Sequence, residues 1–164
     1  GVALARTCGW DFRLKEHRDR ARAEIQEGKP AFLIMSPTCT PFSQLQGLLK
    51  ASRRRNEEKR RMQLAEAKVF LGFSMELATE QVANGRYFIY EQPWAATSWK
   101  DEIVIAAKSL PGVTLVKGNQ CVFGQQTIGP DGEPGLVAKP TGWLINSPEV
   151  AKRVGLLRQG GRAQ

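Results

Sequence analysis

Ala31-Phe32-Leu33-Ile34-Met35, closed by Ser36-Pro37, sets the frame for reading the whole chain. The run is continuous and apolar, and Gly28-Lys29-Pro30 sits just ahead of it. It is too short for a helix and fits a strand buried on both faces of a sheet. Upstream, Arg13 to Glu27 is charged, with Leu14, Ala21 and Ile25 as sparse apolar points, and reads as a surface helix. Gly28 and Pro30 stop that helix in the order expected at a C-terminus. Further upstream, Val2-Ala3-Leu4-Ala5 is a short candidate strand.

Downstream comes the loop Ser36-Pro37-Thr38-Cys39-Thr40-Pro41-Phe42-Ser43, and residues 43–50 suit a short helix. A long helix is predicted from Asn56 to Ala83, with Met62, Ala65, Val69, Phe70, Phe73 and Leu77 on one face, ended by Asn84-Gly85. Tyr87-Phe88-Ile89-Tyr90 is a second buried strand, running into Glu91-Gln92-Pro93-Trp94. A helix over Asp101–Ser109, a strand over Val113–Lys117, a loop or hairpin turn over Gly129–Gly135 and a last strand at Trp143–Ile145 complete the pattern. Short apolar strands alternating with helices predict an α/β fold with a mostly parallel open sheet and helices on both faces. The expected organisation is one domain over residues 1–150 and a basic tail over 151–164.

Composition narrows the function. The chain has 164 residues, is 41% hydrophobic and carries a formal charge of +8, enough for one core and one basic domain. No apolar run approaches the ~18–20 residues of a membrane span, and no signal peptide is read at the start. An intracellular protein, nuclear or cytoplasmic, is expected. His17 is the single histidine and lies in a charged stretch that reads as a solvated helix face. Cys8, Cys39 and Cys121 are widely spaced with no C-x-x-C. Neither a metal site nor a disulfide framework is predicted, and a special cysteine would act alone.

The positive charge is clustered. Residues 53–61 hold Arg53, Arg54, Arg55, Lys59, Arg60 and Arg61 against Glu57 and Glu58. Beyond Glu149 the tail has Lys152, Arg153, Arg158 and Arg162 and no acid. Such segments suit phosphate contacts, with Arg53, Arg54, Arg55 and Lys59 as candidates, or simply keep a domain soluble.

In open parallel sheets, functional residues collect beyond the carboxyl ends of strands. The two strongest strands end at Cys39, set between prolines, and at Glu91; if they are neighbours, the two residues flank one crevice. A helix starting after the loop would favour the thiolate. The competing reading makes Cys39 a small buried filler. Trp94 and Trp99 follow Glu91 and would either stack on an extruded base or plug the sheet.

Ser36-Pro37-Thr38-Cys39-Thr40-Pro41-Phe42-Ser43 after a hydrophobic strand resembles the Pro-Pro-Cys-x-x-Phe-Ser loop of DNA (cytosine-5) methyltransferases. Glu91-Gln92-Pro93 resembles their Glu-Asn-Val motif, and Gln120-Cys121-Val122-Phe123-Gly124 the segment before their Tyr-Gly-x-Pro-Gln. The resemblance covers roughly residues 30–146. It implies a Rossmann-like sheet of the class I methyltransferase type, and a reaction in which a cysteine adds to C6 of cytosine. The methyl group of S-adenosylmethionine then goes to C5. Carried over, Cys39 is the nucleophile, Glu91 the acid on the N3/N4 edge, and Ser43 helps fix the loop. Asp11, Pro37 and Phe42 become cofactor contacts, although a capping role for Asp11 and a helix-anchoring role for Phe42 stay open. Lys139 keeps one positive charge where the family has an Arg-x-Arg pair.

Thr38 stands in place of the family's second proline, and Gly1–Phe12 lacks its Asp-x-Phe-x-Gly-x-Gly loop. That implies a sheet incomplete at the N-terminus, a truncated or degenerate relative. The expected partner is nucleic acid, DNA foremost, the expected cofactor S-adenosylmethionine, and no metal. The alternatives are a catalytically inactive methyltransferase-fold module of a mobile-element polyprotein, which binds nucleic acid without the chemistry, and an unrelated cysteine-dependent α/β enzyme. For the latter, His17 offers no convincing base.

Overall fold

A computed structural model describes residues 9–42, 57–119, 126–128, 132–136 and 139–156. Its helices are α1 (Lys15–Gly28), α2 (Glu57–Ala83), α3 (Glu102–Lys108) and α4 (Pro148–Leu156). The strands are β1 (Phe32–Met35), β2 (Tyr87–Pro93), β3 (Thr114–Asn119), β4 (Gln126–Ile128), β5 (Pro134–Leu136) and β6 (Pro140–Ile145), with 3-10 turns at Thr40–Phe42 and Thr97–Lys100. The candidate strand Val2–Ala5, the helix over 43–50, Ser43, Arg53–Arg55, Cys121 and the rest of the Gln120–Gly124 segment lie outside the described residues.

The main sheet has the order β1-β2-β6-β3. β1 and β2 are parallel, Phe32 opposite Tyr87 and Met35 opposite Tyr90. β6 runs antiparallel between β2 and β3. The expectation of a mostly parallel sheet is therefore corrected to a mixed one. The physical reason lies in the connection: β1 reaches β2 through α2, the long crossover that a parallel pair requires, whereas β3 leads through the small β4–β5 hairpin straight back into β6. The Gly129–Gly135 stretch thus bridges two paired strands.

Side-chain alternation assigns the two faces. Leu33, Met35, Phe88, Tyr90, Leu144 and Leu115 share one face by register. That face meets Ala67, Leu71, Phe73, Met75, Leu77 and Ala78 of α2 and Val104 and Ala107 of α3 in the main core. Trp99 lies over Gly142 on the same side: a Cβ added at Gly142 would sit 2.5 Å from the indole. On the opposite face Val154 of α4 packs against Gly118 of β3. Helices therefore cover both faces where β3 and β6 run.

Three readings change in the structure. β1 is not buried on both faces: Ile34 is 71% exposed and its neighbour Tyr87 is 44% exposed, because α4 covers the other end of the sheet. The buried face of α2 is only partly the expected one: Phe73 and Leu77 are buried, whereas Met62 and Val69 are exposed. Its stripe runs through Ala67, Leu71, Ser74, Ala78 and Gln81, where small residues bring the helix close to its neighbours. α4, spanning the boundary drawn at residue 150, is a helix that charge alone concealed. Ser147 accepts from the Val150 amide at 3.4 Å and Pro148 opens the first turn, so the start signal is local.

His17 is not merely a solvated residue. Its Nδ1 accepts from the Asp11 amide at 2.8 Å, and its ring meets Trp10 edge-on at 6.1 Å. Gln81, fully buried, donates to the Pro30 carbonyl at 3.1 Å and the Tyr87 carbonyl at 2.8 Å, and so pins the amino ends of β1 and β2 together.

Candidate functional site

Because β1 and β2 are parallel and Met35 is opposite Tyr90, the residues that follow come side by side at the carboxyl edge. Ser36 Oγ donates to Glu91 Oε2 at 2.5 Å. One step on, Gln92 Nε2 donates to the Pro37 carbonyl at 2.8 Å. Thr97 Oγ1 donates to the Phe42 carbonyl at 3.2 Å, and the Phe42 amide closes a turn onto the Cys39 carbonyl at 2.9 Å. The segment from Glu91 to Thr97 thereby holds the Cys39 loop at its start and at its end. Cys39 is a half-buried free thiol, and Glu91 is also half-buried. The parallel pairing of β1 and β2 thus brings the Cys39 loop and Glu91 to the same edge of the sheet.

Beneath this edge, on the core side of the sheet, lie three buried polar side chains. Tyr90, Gln92 and Ser98 are almost fully buried, and Tyr90 Oη, Gln92 Oε1 and Ser98 Oγ make no hydrogen bond of good geometry in the structure. Burial pushes the Tyr90 phenol well above its usual range; the nearby Ser98 hydroxyl counters part of this, while Glu91, Asp101 and Cys39 push the same way as burial. Tyr90 thus stays a neutral hydroxyl in the core, near enough to Glu91 and Cys39 to feel both. Alternation along β2 already places Gln92 on the face of Phe88 and Tyr90, so a buried amide next to the motif glutamate was legible as a pattern. Its partner, the Pro37 carbonyl, was not.

The remaining site candidates are placed as follows. Asp11 stands in the turn before α1, its carboxylate held by the Arg13 guanidinium at 2.5 Å and accepting from the Arg13 amide at 3.1 Å; the residue directly preceding α1 is Leu14, with no side-chain cap. Pro37 is half-buried with its carbonyl taken by Gln92. Phe42 is 5% exposed and part of the core. As placed, these three give no common cradle for S-adenosylmethionine. Lys59 is exposed in the first turn of α2, and Lys139 is exposed just before β6. α2 must run back from the carboxyl end of β1 to the amino end of β2, so its first turn lies at the Cys39 end of the domain. Lys139 adjoins Pro140, whose carbonyl accepts from the Trp94 amide at 2.9 Å, so it too lies at that edge.

No protein-family model matches the chain, and neither does any curated protein or solved structure.

The chemistry therefore rests on the geometry of the edge itself. Among the described residues no group of three or more His, Cys, Asp or Glu side chains is placed to hold a metal ion. Among them, too, no helix is long and apolar enough to cross a membrane. What the edge offers is a half-buried thiol, a carboxylate bonded to a serine hydroxyl, and the exposed Lys59 and Lys139.

Proposed function

We propose that this chain is a DNA (cytosine-5) methyltransferase-like domain whose Cys39 adds to C6 of a cytosine while Glu91 engages the N3/N4 edge of the ring. The observation that carries the reading is the pairing at the carboxyl ends of two adjacent parallel strands, with Ser36 Oγ on Glu91 at 2.5 Å and Gln92 on the Pro37 carbonyl at 2.8 Å. A nucleophile and an acid on neighbouring strand ends can address opposite edges of one flat ring. Protonation at N3 draws electron density from C6; the thiolate forms the S–C6 bond and C5 becomes nucleophilic. When an electrophile has joined C5, loss of the C5 proton re-forms the C5–C6 double bond and expels the thiolate. A target base in a duplex must leave the stack to reach such an edge.

S-adenosylmethionine supplies a methyl electrophile to C5 in the family that the motifs resemble. With Asp11 held by Arg13 and the Phe42 ring in the core, the residues carried over as its contacts do not fit that role, and no methyl-transfer step is assigned to them. This observation favours a second reading, a methyltransferase-fold module that binds nucleic acid, such as one in a mobile-element polyprotein, without completing the transfer. An intracellular setting accompanies either reading.

The test needs no cofactor. Reversible addition of Cys39 lets a solvent deuteron join C5 and the original proton leave, so cytosine in DNA exchanges its C5 hydrogen in deuterated water. Exchange read by mass spectrometry is expected with the unaltered chain, absent in Cys39→Ala, and about 10²- to 10⁴-fold slower in Glu91→Gln. No exchange by the unaltered chain, on either single-stranded or duplex DNA, would overturn the chemistry and leave the binding module.

A further inference from the structure

We propose that Trp94, Lys117 and Lys139 form a platform that takes single-stranded nucleic acid along the carboxyl edge of the sheet, bases stacking on Trp94 and phosphates meeting the lysines. The proposal deepens the reading above and rests on it for the polymer's identity. The structure separates the two tryptophans that follow Glu91. Trp99 belongs to the core: 8% exposed, its Nε1 donating to the Pro93 carbonyl at 2.8 Å and its ring edge-on to Tyr90 at 5.7 Å. Trp94 is 39% exposed and has no such place. It stands on a tight turn, the Ala96 amide bonded to the Pro93 carbonyl at 2.9 Å, with its own amide tied to Pro140. The ring is presented on a fixed backbone, which lowers the ordering cost of stacking a base on it.

Lys117 comes from β3, on the far side of β6, and its Nζ lies 5.3 Å from the Trp94 ring centroid. β6 lies between them, with Gly142 opposite Lys117 and the Pro140 carbonyl taken by the Trp94 amide. The ammonium lies over one face of the indole, so a base stacks on the face turned away from Lys117. Lys117 then serves as the phosphate contact, the combination that single-strand grooves use. Lys139 precedes Pro140, which pairs with Asn119 at the end of β3, and so extends the positive edge. From β1, which the Cys39 loop follows, to β3 is three strand spacings, ~14 Å, a short track along the carboxyl edge. Stacking on Trp94 requires a base that is already unstacked, which selects a single strand or an extruded segment over an intact helix.

The experiment is a titration of the full chain with a labelled single-stranded oligodeoxycytidylate and with the corresponding duplex, following anisotropy and tryptophan fluorescence over a range of salt. The expected results are tighter binding of the single strand, quenching that disappears in Trp94→Leu, and affinity about five- to a hundredfold weaker in that variant. Trp94→Phe retains a ring and recovers part of the loss. Lys117→Ala and Lys139→Ala each reduce the slope of log affinity against log salt by about 0.7. Folded Trp94→Leu that binds the single strand as the unaltered chain does, or a duplex bound as tightly as the single strand, would overturn the platform. Binding with these signatures but without C5 exchange would leave the platform standing and remove the cytosine chemistry. Exchange that ignores Trp94 would do the reverse.

Discussion

Gln92 shows how a single buried side chain can set a loop. It is 1% exposed, its Nε2 on the Pro37 carbonyl at 2.8 Å, while its Oε1 lacks a partner. Replacing it with leucine removes a hydrogen bond and strands the Pro37 carbonyl, but also removes the unpartnered oxygen. These effects are of similar size, ~1–3 kcal/mol for each stranded group, and largely offset. Gln92→Leu is therefore expected to change unfolding free energy by about 1 kcal/mol or less in urea melts, yet to raise the rate of Cys39 alkylation several-fold as the loop loosens. An unchanged alkylation rate would mean that the other ties suffice. Tyr90 makes the complementary case. Its folded pKa is raised, so its contribution to stability is fully present below the ordinary tyrosine value of ~10 and is lost as pH rises through the folded value. Tyr90→Phe, which discards a hydroxyl with no good partner, is expected to match the unaltered chain near neutrality and to hold its melting temperature better above pH ~10. A parallel alkaline decline in both proteins would refute this.

Among the elements, β6 carries the sheet, and its tightest point is Gly142. A Cβ there would lie 2.5 Å from Trp99 Cζ2 and 3.0 Å from Cε2. The indole is fixed by its bond to Pro93 and by Tyr90, so it cannot swing away. Gly142→Ala is expected to cost about 1–3 kcal/mol, read as a lower urea midpoint; an unshifted midpoint would show that the ring yields. How far the elements were legible in the sequence follows from what signals each carries. β1, β2 and α3 announce themselves through apolar runs between punctuating residues, and Asp101 caps α3 from one residue ahead. That the two runs are neighbouring strands, so that their following loops share an edge, was legible as a condition and is met by the parallel pairing of β1 with β2. The sheet's mixed direction was not, because nothing local in Trp143–Ile145 states which way the strand runs. The face of α2 was legible at Phe73 and Leu77 but not at Ala67, Ser74, Ala78 and Gln81, whose small or polar side chains carry no hydrophobic signal. The ties that build the site, Gln92 to Pro37 and Thr97 to Phe42, join positions 55 residues apart and follow only from the strand register.

For the molecule as a whole, buried glutamines mark both ends of the β1–β2 pair, Gln81 at the amino ends and Gln92 at the carboxyl ends. Between them α2 spans 27 residues, roughly 40 Å of helix, beside a β2 of seven residues, about 23 Å. The helix therefore outruns the strand it covers, and residues 57–63 are exposed all round. Lys59, Arg60 and Arg61 stand in that overhang, where little holds the backbone against local opening. Trypsin should cut there first. The cut would divide the chain between its two motifs, Cys39 on one fragment and Glu91 on the other. Main-chain pairing of β1 with β2, Gln81 on Pro30, Gln92 on Pro37 and the Arg22–Glu76 pair at 2.6 Å all cross that division. The nicked protein is expected to elute as one species in native chromatography and to separate into two only in denaturant. Two native peaks would show that covalent continuity holds the halves together. A single native species would make the long crossover dispensable as a tether once folding is complete, and the carboxyl edge a joint between two fragments, Cys39 on one and Glu91 on the other.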